Sequence, residues 1–324
     1  MASSSAQIFS PLHTFAAASG FAAPLMQGPD GTLYGVSSAG GLGGSGTVFR
    51  LNTDGTHFAV LYSFGKGTQF GAVYTNADGY GPVGGLVLSN NVLYGTTQYG
   101  GVTGYGTVFK INTDGSAFAT LHFFTNGPSG GVLYAGLVLA GGALYGATYN
   151  GGTNSGTIFA MNTDGSGFTN LHNFGGTNGA FPMASMISSG STLYGTTQEG
   201  NNGTVFKIDT SGANFAILHH FTSPFVGTNV DGDLPEASLL LSGNTLYGTA
   251  SGGGRGEGTI FAVNTDGSNF TNLYNFTNGV DGASPVAALI LSGNTLYGTT
   301  KSGGVFPGNG TIFSVNTDGS DFIS

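Results

Sequence analysis

Six histidines, fifteen acidic residues and fourteen tyrosines are the side chains of this 324-residue chain with chemistry to offer. There is no cysteine, so disulfides, thiolate zinc sites and iron–sulfur clusters are excluded. Four of the histidines, His13, His122, His172 and His219, recur one residue after a Leu, and Tyr62 and Tyr274 hold the same place elsewhere. A metal sits ~2.0 Å from an imidazole nitrogen, and four copies on separate repeats cannot share one ion. A place open to either His or Tyr instead reads as ring stacking or capping. His57 and His220 stand apart from this pattern.

The acids divide in two. Asp54, Asp114, Asp164, Asp266 and Asp318 recur in Asn-Thr-Asp-Gly, where a short carboxylate satisfies hairpin backbone groups. A calcium ion would need more oxygens than one such turn supplies. Asp231, Asp233 and Glu236 are unrepeated and lie within six residues of one another. Three carboxylates so spaced could hold calcium or serve acid–base chemistry, and Asp-Gly-Asp is also ordinary turn chemistry. Arg255 and Asp281, in adjacent loops, are expected beside them. The long insertion at 65–83 brings Phe70, Tyr74, Asp78 and Tyr80, and the next loop brings Tyr99 and Tyr105. Tyrosines beside carboxylates suit sugar-ring stacking with hydroxyl recognition, or anchor a loop on its own scaffold.

Two motif matches fail on context. Gly41–Gly46 spells G-x-G-x-x-G but runs into Thr47-Val48-Phe49, with no helix to meet a pyrophosphate. Gly127–Gly131 spells G-x-S-x-G, again with no helix behind it to form a nucleophile elbow.

The elements that position these residues follow from composition and repetition. The chain has 62 Gly and 10 Pro, and only 6% of residues are charged. Gly costs roughly 1 kcal/mol per helix-interior position, so helices are disfavoured. A hydrophobic content of 39%, with 25 Phe, is too apolar for a disordered tail. Six Lys+Arg at net charge −9 cannot track a phosphate backbone, which excludes nucleic acid. The uncharged run 130–148 is long enough for a membrane span, but its six glycines and its register with sister segments exclude that. The start Met1-Ala2-Ser3-Ser4-Ser5 lacks the positive and apolar regions of a secretory signal.

Leu-Tyr-Gly begins at Leu33, Leu93, Leu144, Leu193, Leu246 and Leu296, a period of about 50 residues. Each copy is followed by Gly-Thr-Val/Ile-Phe, then Asn-Thr-Asp-Gly or its variant Asp209-Thr210-Ser211-Gly212, and in the first five copies then by Phe-x-x-Leu-x-x-Phe. Turn chemistry divides the fifth copy into four strands, at 237–241, 245–250, 258–264 and 270–276. The spacing predicts an all-β, six-bladed β-propeller with four antiparallel strands per blade, as one domain over 1–324. The blades fall at about 23–64, 84–124, 135–174, 184–221, 237–276 and 287–316. The last is completed by 7–15, so the ring closes by pairing the N-terminal strand with the C-terminal blade. Pro11 fits an outer edge, where a missing N–H breaks no ladder. Phe9 and Phe322 compete for one position in that strand, and the displaced one is available for self-association.

The first-to-second and third-to-fourth turns are short, while second-to-third and blade-to-blade loops are long and vary. In a four-stranded blade the long classes emerge on one side, which becomes the elaborated, binding face.

The string from Leu93 to Phe118 (Leu-Tyr-Gly-Thr-Thr, Gly-Gly, Gly-Thr-Val-Phe, Asn-Thr-Asp-Gly-Ser, Phe) resembles the GloVer-type tandem repeat of bacterial secreted proteins. It covers residues 7 to 322. The resemblance implies a bacterial surface or secreted protein with no enzymatic activity to carry over. A kelch repeat differs, since its blade carries a Trp and this chain has none.

The expectation is thus an extracellular or cell-surface, non-catalytic binding or structural module, with no membrane span. Its variable-loop face would take a carbohydrate or a protein through Tyr74, Tyr80, Tyr99, Tyr105, Asp231, Asp233, Glu236, Arg255 and Asp281. The alternatives are a self-assembling layer or fibre, and a carbohydrate-active enzyme using Asp231, Asp233 or Glu236.

Overall fold

A computed structural model describes residues 11–15, 20, 23–70, 73–200, 202–222, 231–305 and 308–324. Each repeat forms one antiparallel sheet whose strands are neighbours in chain order, as its tight turns dictate. Five sheets have four strands and the sixth has three, and the 65–83 insertion adds a hairpin of Thr68–Phe70 with Val73–Thr75. We call the sheets blades 1 to 6. Blade 3 is Val138–Ala140, Ala143–Thr148, Thr157–Asn162 and Thr169–Asn173. In blade 5 the strands are Leu240–Ser242, Thr245–Ala250, Thr259–Asn264 and Thr271–Asn275. The innermost strand starts later than the expected 237, because Ala237 and Ser238 border a central cavity and 237–239 have no ladder partner.

The strings that define the repeat are cross-strand partners. Gly146 of Leu-Tyr-Gly pairs with Phe159 of Gly-Thr-Ile-Phe, and a Cβ on Gly146 would lie 2.5 Å from the Phe159 Cζ. Glycine therefore leaves a notch that the phenylalanine ring fills, and the same fit recurs in all six blades. Each filled notch buries one Phe completely, about 1.5–3 kcal/mol of apolar transfer.

Alternate residues face opposite neighbours, so the strands are apolar on both sides. Tyr145, Ile158 and Phe174 of blade 3 pack with Leu193, Phe206 and Ile208 of blade 4. Outside this core, the ring of each fourth strand lies flat on a Phe of the next blade. His122 stacks on Phe168 at 3.8 Å and 2°, His172 on Phe215 at 3.7 Å and 9°, and Tyr274 on Phe322 at 3.6 Å and 4°. The recurring His/Tyr is thus an interblade stacking position, as its spacing predicts.

The sixth junction differs. Residues 7–10 of the expected closing strand, Phe9 among them, lie outside the described residues. His13 stacks on Phe58 at 3.7 Å and 7°, and Phe15 meets Phe49 at 5.1 Å. Residues 11–15 therefore take, on blade 1, the place that a preceding blade's fourth strand takes elsewhere. Blade 6 comprises Ile290–Ser292, Thr295–Thr299 and Ile312–Asn316, and Ile323 bridges only to Ser314. Phe322 occupies the contested aromatic position. Among the described residues no ladder joins 11–15 to Ile312–Asn316, so the expected closing pair is not formed there. The faces that would meet across it are open: Ile312 is 77% exposed, Ile290 66%, Tyr297 39% and, on blade 1, Leu25 48%. The residues matching Ile312 in the other blades, Val48, Val108, Ile158, Val205 and Ile260, are all fully buried.

Candidate functional site

Both long loop classes do lie on one side, because isolated bridges pin them together: Tyr80 to Tyr99, Gly131 to Asn150, Ala180 to Glu199, Asp233 to Gly252 and Ala283 to Ser302. One residue further on, each blade-to-blade loop from blade 2 to blade 6 turns through the left-handed region, at Gly81, Val132, Phe181, Leu234 and Ser284, with φ from 53° to 67°. Its N–H donates to the preceding blade and its carbonyl accepts from its own blade. Phe181 N donates to Ser155 O at 2.8 Å, and Gln198 N donates to Phe181 O at 3.2 Å. A non-glycine residue held there costs about 1–3 kcal/mol, a strain the two flanking hydrogen bonds offset.

Immediately after this joint the chain enters a central cavity of about 760 Å3, bordered by all six blades. Small residues make up much of its wall, among them Gly84, Gly85, Ala184, Ser185, Ala237, Ser238, Ala287 and Ala288, with Leu86 and Leu137 beside them. At its loop-side mouth blades 2 to 6 contribute one residue each, of four types: Val83, Tyr134, Met183, Glu236 and Val286. A repeat that is otherwise copied closely thus varies where it meets the cavity.

Around Tyr134 an aromatic and acidic group assembles. Tyr134 meets Tyr149 edge-on at 5.1 Å, and Tyr149 stacks on Phe181 at 4.8 Å. Burial, with a hydrogen bond to Tyr134, pushes the Tyr99 hydroxyl up to about 12. Burial first, then the charges of Glu199 and Glu236, raises Tyr149 as well. Gln198 Nε2 donates to Glu236 Oε1 at 2.6 Å, which fixes that carboxylate at the rim. Flat rings, fixed acceptors and a negative field favour a neutral hydroxyl-rich ligand over an anion.

The expected site residues part company here. Tyr99 and Glu236 join this group. Tyr74 and Tyr80 stack on each other at 5.1 Å and 11°, with Tyr74 exposed on the extra hairpin. Tyr105 instead packs against the core between blades 2 and 3. Asp231 and Asp281 are buried and hold the scaffold. Asp231 accepts from His219 Nε2 at 3.0 Å, from Thr222 N at 3.2 Å and from Thr222 Oγ1. Asp281 accepts from Tyr274 Oη at 3.1 Å, Thr277 N at 2.9 Å and Thr277 Oγ1 at 2.7 Å. Burial works against its charge, but these hydrogen bonds outweigh it and hold the carboxyl below 3.8. Asp233 is raised, by burial and then by Asp231. Arg255 is exposed and its charge reaches Tyr274. The calcium reading of Asp231, Asp233 and Glu236 loses its geometry, since Asp231 is spent on His219 and Thr222 and Glu236 turns to Gln198. Among the described residues no three such side chains converge on a metal position. Residues 223–230 of the 222–236 loop lie outside the described residues.

Tyr134, Tyr149 and Phe181 escape a reading by motif. Their signal is positional: each stands at a fixed offset from the repeat landmarks where sister repeats carry other residues.

Comparison with solved structures places this geometry among β-propellers. A chain of a nidogen/laminin complex is 14% identical at a TM-score of 0.52, covering 86% of this chain and 89% of that one. TolB from Acinetobacter baumannii is 12% identical at 0.50, covering 92% and 61%. A functionally unknown protein from Desulfotomaculum acetoxidans is 11% identical at 0.56, covering 94% and 84%. At such identities the likeness shows the fold alone. No curated protein sequence matches the chain. The Gloeobacter/Verrucomicrobia repeat matches at 2–201, 65–255 and 202–324, and the chain belongs to that family.

Proposed function

We propose that this protein is a non-catalytic binding module that recognises a neutral carbohydrate at the loop-side mouth of its central cavity, outside the cell. The observation that carries this reading is the group at the rim: Tyr134 and Glu236 line the opening, and Tyr149 and Phe181 extend the aromatic cluster from Tyr134. Rings of this kind stack on sugar faces, and the fixed carboxylate accepts from hydroxyls. Catalysis by Asp231 is disfavoured, because its oxygens already accept from His219 and Thr222.

A glycan array followed by isothermal titration tests the proposal. Tyr134→Ala and Glu236→Gln are each expected to weaken binding about tenfold, the loss of one aromatic or charge-assisted contact of roughly 1.4 kcal/mol. Arrays of neutral glycans that yield no ligand, or binding unchanged in both variants, overturn it.

A further inference from the structure

We propose that the open face of blade 6 binds blade 1 of a second copy of this chain, whose residues 11–15 become its fourth strand. Five junctions in the molecule are built alike, and the sixth is present in two separated halves. On blade 6, Tyr297 and Ile312 match residues that are buried at each of the other five junctions, yet they are 39% and 77% exposed. On blade 1, Leu25 is 48% exposed, where the matching Leu86, Leu137, Met186, Leu239 and Leu289 are buried. Blade 1 carries, in residues 11–15, the element that is missing from blade 6 among the described residues. His13 on Phe58 reproduces the stack of Tyr62 on Phe118, at 3.7 Å in both. In register, Ile323 bridges Ser314 as Thr271 pairs with Ala262 in blade 5, so the position of that element on blade 6 is set.

Both halves are described in a single chain and do not meet there, which favours a second copy as the occupant. The contact is head to tail, so each copy offers one donor and one acceptor face. Such contacts propagate into closed rings of copies or into filaments. The edge Ile312–Asn316 offers backbone groups, and residues 11–15 offer an extended strand already held in place, with its ordering entropy largely spent.

The chain has no cysteine, so two introduced ones report the pairing directly. In blade 5 Thr259 pairs with Asn275, which sets Thr311 opposite Thr14 in blade 6. Oxidised Thr14→Cys/Thr311→Cys protein is expected to run as a covalent ladder of dimers and larger species on non-reducing gels, more so at higher concentration. The unmodified chain should gain mass with concentration in sedimentation, and Ile312→Lys should return it to monomer. A disulfide confined to single chains at every concentration overturns the proposal in favour of a ring closed on itself. Failure to form any disulfide, with a constant monomer mass for the unmodified chain, overturns the pairing altogether.

Discussion

His122 shows what one loop residue is worth. In four other blades the stacking ring is held by the residue before a glycine in the following loop. Asp78 accepts from Tyr62 at 2.9 Å and Asp231 from His219 at 3.0 Å. Asp281 accepts from Tyr274, and Asn178 meets His172 Nε2 at 3.1 Å. In the blade of His122 that residue is Ser129, which bonds to Thr125, and the buried His122 Nε2 has no partner. Ser129→Asp is therefore expected to stabilise the protein by about 1 kcal/mol, read from denaturant midpoints at neutral pH. Protonation follows the same geometry. Burial holds His122 and His172 below 6.5, while the unfolded chain binds protons at the ordinary value. The unfolded state thus takes up more protons below 6.5, and stability rises with pH through that window and levels off above it. The melting temperature should fall on acidification from about pH 7.5 to 5.5, and less steeply in His122→Tyr, the residue two sister blades use. At this scale the sequence was legible where spacing is fixed. Asp54, Asp114, Asp164, Asp266 and Asp318 do cap their own turns, each accepting from the N–H two residues on. Asp231 and Asp281 looked unrepeated only because loops of unequal length hide their shared register with Asp78.

A blade is held by glycines of two kinds, and substitution separates them. Gly146 gives way to the Phe159 ring, and Gly156, at φ +95°, would put a Cβ 2.4 Å from Thr148 O and 2.8 Å from Pro182 Cδ of the next blade. Gly190, at φ +57°, faces open space. Gly190→Ala should cost about 1 kcal/mol, the left-handed penalty alone. Gly146→Ala and Gly156→Ala should each cost roughly 2–4 kcal/mol, because a ring or a backbone must also move. Equal losses at 190 and 156 in urea titrations contradict this division. Strand order and turn positions were readable because Asp-Gly turns and alternating apolar residues leave one solution. The left-handed joints at Val132 and Phe181 were not, since neither residue type signals that conformation.

For the whole molecule, stability is a sum of neighbour contacts, and its ends reveal the rule. Phe174 is fully buried between blades 3 and 4, while Phe15 covers Phe49 from one side only. Phe174→Ala should destabilise by about 3–5 kcal/mol, and Phe15→Ala by appreciably less in dilute monomer. The two should converge at concentrations where copies associate, and thermal melts over a dilution series measure both. The repeat count and blade pattern announced a propeller from sequence. The open sixth junction did not show there, because the terminal strings complete one another on paper.

The interblade stack has a consequence for how the chain finds its fold. Phe168 accepts a histidine and Phe322 a tyrosine with the same flat geometry, so the joint does not tell one neighbour from another. The stack therefore leaves blade order to the tethers that join each fourth strand to the next blade and to the other interblade contacts. A newly made chain can therefore dock blades out of turn through favourable stacks, and such misordered intermediates must come apart before the native order is reached.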